Sequence, residues 1–106
     1  MGNGTYQKPN LKIGTPWVLE MYILAAVLHG DSYGYAIAKS NCIGMGESTV
    51  YPILRRLEKA AYIESYSQIY DSKLRRLFKI TDAGQELLAI YIEQWRKMKA
   101  SIDSVL

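Results

Sequence analysis

Cysteine occurs once in the 106 residues, at Cys42, so neither an intrachain disulfide nor a thiolate metal cluster can form. In a reducing compartment Cys42 is expected to be a small, partly buried side chain. Histidine also occurs once, at His29 near the end of an apolar segment, where a cation complements a helix dipole. It has no companions at ligand spacing, so no metal is expected. Long hydrophobic runs are missing. The longest, Trp17 to Leu28, is about half of what a bilayer requires and is interrupted by Glu20, so no membrane partner is expected. The first ten residues are polar and only weakly basic, unlike a signal peptide, which points to a cytoplasmic protein. Also lacking are paired carboxylates, a nucleophile beside a base, and a glycine loop that could cradle phosphate. Neither enzymatic activity nor a cofactor is expected.

What is present is a chain of ordinary composition, 49% hydrophobic, sized for one domain. The net charge of +3 is unevenly spread. Between Ser48 and Lys79, seven basic residues (Arg55, Arg56, Lys59, Lys73, Arg75, Arg76, Lys79) face three acidic ones (Glu58, Glu64, Asp71), giving +4 and leaving −1 for the rest. A cationic excess confined to one segment suits a surface that meets a polyanion, and it also suits a solvated face decorated with ion pairs.

Residues 1–13 read as a flexible N-terminal arm. Thr15 as cap and Pro16 at the first helical position then start a helix that runs to about His29 and stops at Gly30. That helix is apolar nearly all round, more than one small domain can cover, so part of it is expected to face a second subunit. A short helix follows over Tyr33 to Ser40, started near Ser32 with Ile37 inward, and NCIGMG forms a loop. In ESTVYPILRRLEK, residues Val50, Leu54 and Leu57, continued by Ala61, share one stripe, which places Ser48, Pro52, Arg55 and Lys59 on the opposite side, flanked by Thr49, Tyr51 and Arg56. Pro52 near the helix start, with its ring outward, costs one backbone bond. YIESYSQIY and KLRRLFKIT then read as two strands turning at Asp71 and Ser72, with Ile63, Phe78 and Ile80 inward. Thr81 caps a last helix with Asp82 in its first turn. There Leu88, Tyr91, Trp95, Met98, Ile102 and Val105 step by three and four, a heptad seam that implies a partner helix.

Three helices and a basic hairpin, in that order, define a winged helix-turn-helix: mainly α with a small β-hairpin, here followed by a long C-terminal dimerisation helix. The organisation expected is a winged-helix domain over 14–81 and the dimerisation helix over 82–106. In this reading the third helix enters the major groove of double-stranded DNA. Arg55 and Lys59 reach phosphates or guanine edges, Ser48, Thr49 and Tyr51 supply hydroxyl contacts, and Arg75 and Arg76 follow the backbone or the minor groove. Arg56 points more sideways and has an internal salt bridge as its alternative, with Glu47 or Glu58 as partner. A second class fits the same features: an interaction module whose basic hairpin meets an acidic protein.

SYGYAIAK followed by ESTVYPILRRLEK and LRRLFKITDAG resembles the PadR family of bacterial transcriptional regulators, in its short form with one C-terminal dimerisation helix. The resemblance covers Gly14 to the end. It implies a homodimeric repressor on an inverted-repeat operator, with Ser48, Thr49, Tyr51, Pro52, Arg55 and Arg56 as the recognition set and Lys73, Arg75 and Arg76 as the wing. It also places Trp95 where a multidrug-binding member has an aromatic that stacks planar drugs, so a planar aromatic effector at Trp95 is one reading and plain packing across the dimer seam the other. Trp17 would line the same interface from the first helix. Three positions depart from the family pattern. Ala60 and Ala61 stand where glycine is common, and since alanine resists a left-handed cap by about 1 kcal/mol the helix is expected to run on or close differently. Leu77 and Phe78 replace two adjacent aromatics, and Ala36 replaces an acidic residue.

Overall fold

The computed structural model describes residues 17–106. The arm over 1–13 and the cap at Thr15 and Pro16 lie outside the described residues. Four helices and one hairpin follow: α1 (Trp17–Leu28), α2 (Gly34–Ser40), α3 (Glu47–Lys59), β1 (Ile63–Tyr70), β2 (Lys73–Ile80) and α4 (Asp82–Asp103). The expected fold class is therefore the observed one: mainly helical, with a two-stranded antiparallel sheet and a long last helix.

The core is built where α1, α2 and α3 meet the base of the hairpin. Ile23, Leu24 and Val27 from α1, Ile37 from α2, and Val50, Ile53, Leu54 and Leu57 from α3 are buried with Ile63, Phe78 and Leu88. Each such side chain contributes about 1.5–3 kcal/mol on burial. Exposed ion pairs contribute about 0–1 kcal/mol. Packing on its apolar stripe therefore decides that α3 turns its polar side outward. Ala61, expected on that stripe, is exposed, and Ile53 takes an inward place beside Leu54.

Three boundaries differ from expectation, each for a local reason. Tyr33 is the extended N-cap of α2 rather than its first residue, because Ser32 is spent on a bridge to β2, exchanging backbone hydrogen bonds with Phe78. The end of α3 does not run on. Ala61 adopts φ 66°, its amide donates to the Glu58 carbonyl and the Tyr62 amide to the Leu57 carbonyl, which is the Schellman closure, made here without glycine. Helix α4 ends at Asp103 with Ser104 as its cap, so Val105 lies beyond the helix rather than on its seam.

The α2–α3 loop is held by Asn41. Its amide nitrogen lies 2.8–3.0 Å from the carbonyls of Ile37, Ala38 and Met45, and its carbonyl oxygen accepts from the amides of Ile43 and Met45. Cys42, next to it, is exposed, which corrects the expectation of partial burial. Asn41 fills the inward role and leaves Cys42 outside.

In the hairpin, Ile63 pairs with Ile80 and Tyr70 with Lys73, closed by Asp71 and Ser72 at φ 55° and 64°. Two consecutive positive φ values make the tight turn whose twist matches that of the strands. Thr81 caps α4 as expected, accepting from the Gly84 amide at 3.1 Å while donating to the Ala61 carbonyl at 2.7 Å. Gly84 sits against the Tyr62 carbonyl and Ile80, and any Cβ there would overlap both. This close approach accounts for the glycine in the ITDAG run.

Candidate nucleic-acid interface

The polar side of α3 and the inner side of the hairpin flank a cleft of about 680 Å³. Tyr51, Arg55, Glu58 and Lys59 line it from α3, Leu74, Arg75, Arg76 and Phe78 from β2, and Tyr33, Gly34 and Tyr35 from the start of α2. The Tyr51 ring lies against Gly34, where any side chain would collide with it. The glycine of SYGY thus serves to admit a tyrosine of α3.

Ser48, Pro52, Arg55 and Lys59 are exposed, and Thr49 is half-buried. Tyr51 is 37% exposed, with one edge of its ring against Gly34. The two adjacent arginines part company. Arg55 faces the cleft, whereas Arg56 turns to α1, its Nε and Nη2 donating to Glu20 Oε2 at 3.1 and 2.9 Å. The internal partner of Arg56 is therefore Glu20, neither Glu47 nor Glu58.

Glu58 is committed to the hairpin. It accepts from Ser65 Oγ at 2.5 Å and from Arg76 Nη2 at 3.0 Å on both oxygens. The Ser65 bond, then the Arg76 guanidinium, hold its carboxyl below its ordinary value of 4.5 against the opposing push of burial. Arg76 remains 63% exposed, so one edge of its guanidinium is tied while the rest is open. Arg75 is held from another direction: it lies 4.3 Å from the Tyr33 ring and donates to the Tyr70 carbonyl, while Tyr33 and Tyr70 pack edge-on at 5.6 Å. Tyr66 adds a hydroxyl bond to Asp31 at 2.5 Å. Lys73, beside the turn, is exposed. The wing is thus pinned to α3 through Glu58 and to the α1–α2 connection through Tyr33 and Asp31. Neither pin is visible from spacing. Glu20 was legible only as a charge inside an apolar segment, a placement that asks for a partner.

The C-terminal seam divides. Leu88 is 3% exposed and belongs to the core of its own domain, while Tyr91 is half-buried, its ring 5.8 Å from Trp17 and its hydroxyl donating to Glu20 Oε1 at 2.7 Å. Burial, then the Glu20 bond, pushes the Tyr91 phenol upward, so it stays a donor at every physiological pH. Beyond it Met98 is half-buried, and Trp95, Ile102 and Val105 are 38%, 46% and 81% exposed. Trp17 is half-buried. Among the described residues no helix is long and apolar enough to cross a membrane, and no cluster of three potential metal ligands occurs.

Three helices, a hairpin beside the third, and a cationic cleft between them define a winged-helix regulator architecture. The chain belongs to the transcriptional regulator PadR-like family, whose model matches residues 23–90. It is 33% identical over 92 residues to an uncharacterized protein of Lysinibacillus sphaericus, covering 80% of this chain and 84% of that one. Among solved structures, smu.1704 from Streptococcus mutans is 39% identical at a TM-score of 0.79, covering 83% of this chain and 85% of that one. A PadR family transcriptional regulator from Eggerthella lenta is 28% identical at 0.73, covering 90% and 86%. The fold is also that of Bacillus subtilis PadR, solved in complex with operator DNA, at 24% identity and a TM-score of 0.63, covering 71% of this chain and 46% of that one. This protein is accordingly a transcriptional regulator and not an enzyme.

Proposed function

We propose that the protein acts as a homodimeric repressor that binds an inverted-repeat operator in double-stranded DNA, each protomer laying α3 in a major groove with the hairpin on the adjacent backbone. The observation that carries this reading is the shared cleft: Arg55 and Lys59 on α3 and Arg75 and Arg76 on β2 converge on one side of the domain. Ser48, Thr49, Tyr51 and Pro52 lie along the same helix, and the hydroxyls of Ser48, Thr49 and Tyr51 are suited to phosphate oxygens. Lys73 extends the cationic edge to the wing tip. Arg55, free of internal partners among the described hydrogen bonds and ion pairs, is the residue suited to a bidentate guanine contact. Arg56 is suited to positioning.

The dimer forms through the outer half of α4. Trp95, Met98 and Ile102, with Val105 beyond the helix end, supply apolar surface for a second copy, and Trp17 and Tyr91 extend it toward α1. Leu88, buried in the core of its own domain, is not part of this surface. Trp17 packs against Tyr91, and Trp95 lies four residues beyond Tyr91 on the same face of α4. A planar aromatic effector stacked on Trp95 and Trp17 would relieve repression from there.

The test is titration of a duplex taken from upstream of the protein's own coding sequence, at several salt concentrations. Wild type is expected to bind in the nanomolar range, weakening steeply with salt. Arg55→Ala is expected to lose about 1–3 kcal/mol, roughly a fivefold to 150-fold loss of affinity. Affinity indifferent to sequence, salt and Arg55 overturns the reading.

A further inference from the structure

One carboxylate joins the helix that would read DNA to the helix that would meet a second copy. Glu20, on α1, is the only acidic residue of that helix, and its side chain is 14% exposed. Its Oε2 takes the Arg56 guanidinium of α3 at 2.9 Å, and its Oε1 takes the Tyr91 hydroxyl of α4 at 2.7 Å. Residues 36 and 71 positions away in sequence are thereby held on one group. On the α4 side, Trp17 packs its ring against Tyr91 from the same turn of α1 that carries Glu20.

Apolar burial holds α4 to the domain through Leu87, Leu88, Tyr91 and Ile92. The hydrophobic term in such contacts is non-directional. Hydrogen bonds from a planar guanidinium and a phenol are directional and add an angular constraint to it. We propose that the Tyr91–Glu20–Arg56 bridge is a positioning device that fixes the angle between α3 and α4, and so makes Glu20 a specificity-determining residue that sets the spacing of the two half-sites the dimer accepts. The inference rests on the dimeric operator-binding reading above and deepens it. In a two-fold dimer the separation of the two α3 helices follows from the α4 interface and from the α3–α4 angle within each protomer. A change in that separation of about 3.4 Å corresponds to one base pair of half-site spacing. Arg55 and Arg56 then have different tasks, since Arg55 supplies affinity and Arg56 supplies register.

The experiment uses the duplex that the protein protects upstream of its own coding sequence, resynthesised with one or two base pairs inserted or removed at its centre. Wild type, Glu20→Gln, Tyr91→Phe and Arg55→Ala are titrated on the series. Both Glu20→Gln and Tyr91→Phe keep the side-chain size, and either alone suffices if the other folds poorly. Wild type is expected to lose affinity about tenfold or more per base pair of displacement. Glu20→Gln and Tyr91→Phe are expected to flatten that ratio to about threefold or less, while Arg55→Ala weakens binding throughout and keeps the wild-type ratio. Variants of Glu20 and Tyr91 that discriminate spacing as wild type does overturn the positioning role and leave the operator-binding reading standing. A wild type that binds no duplex, or binds without regard to Arg55, overturns that reading and the inference with it.

Discussion

Ala61 holds φ 66°, a conformation that costs a residue with a Cβ about 1–2 kcal/mol. The cost is met because the Schellman bonds and the Thr81 hydroxyl on the Ala61 carbonyl fix this point from three sides. Ala61 is exposed, so nothing is lost by removing its methyl. Ala61→Gly is expected to raise stability by about 0.5–1 kcal/mol, once the greater entropy of glycine in the unfolded chain is deducted. Chemical denaturation with an unchanged slope would check it, and a loss of stability would contradict the closure described. At this scale the sequence was partly legible. The outward placing of Ser48, Pro52, Arg55 and Lys59 followed from the helical period. The partner of Arg56 did not, because helical spacing relates a residue only to others on its own helix, whereas Glu20 is 36 residues distant on α1. Cys42 was misplaced for a similar reason, since the inward position beside it belongs to Asn41, whose five loop contacts leave no periodic trace.

Among the elements, the hairpin shows how far pattern alone carries. Its two strands and the Asp71–Ser72 turn were legible from β-branched and aromatic content and from the polar pair between them. Its attachment was not, because Glu58 with Ser65 and Arg76, and Tyr33 with Arg75, join segments far apart in the chain. The attachment is also titratable. Glu58 has its folded pKa lowered below 4.5, so its contribution is fully present above that value and is lost as pH falls through the lower folded one. Hydrogen exchange of the β1 and β2 amides is therefore expected to be steady at neutral pH, after correction for intrinsic rates, and to quicken only as the pH falls below the ordinary carboxyl value of 4.5. Glu58→Gln is expected to remove that acid dependence. Protection that falls identically with acid in both proteins would show that Glu58 is not the pin.

At the scale of the whole molecule, the heptad seam read from α4 serves two purposes. Its first residues, Leu88 and Tyr91, anchor the helix on α1, and its later ones, Trp95, Met98 and Ile102, extend past that anchor with apolar surface open to solvent. A seam sees only spacing, so it cannot separate the part a helix spends on its own domain from the part left for a partner. The family was legible because its motifs serve packing needs that the structure makes explicit, with Gly34 under Tyr51 and Gly84 under the Tyr62 carbonyl. The central claim, that two copies present two α3 helices to one duplex, is tested most directly by hydroxyl-radical footprinting on DNA upstream of the protein's own coding sequence. The expected result is two protected patches related by a dyad, about 10 base pairs apart or a multiple of it. A single protected patch, or uniform protection that shifts freely along the duplex, would contradict it.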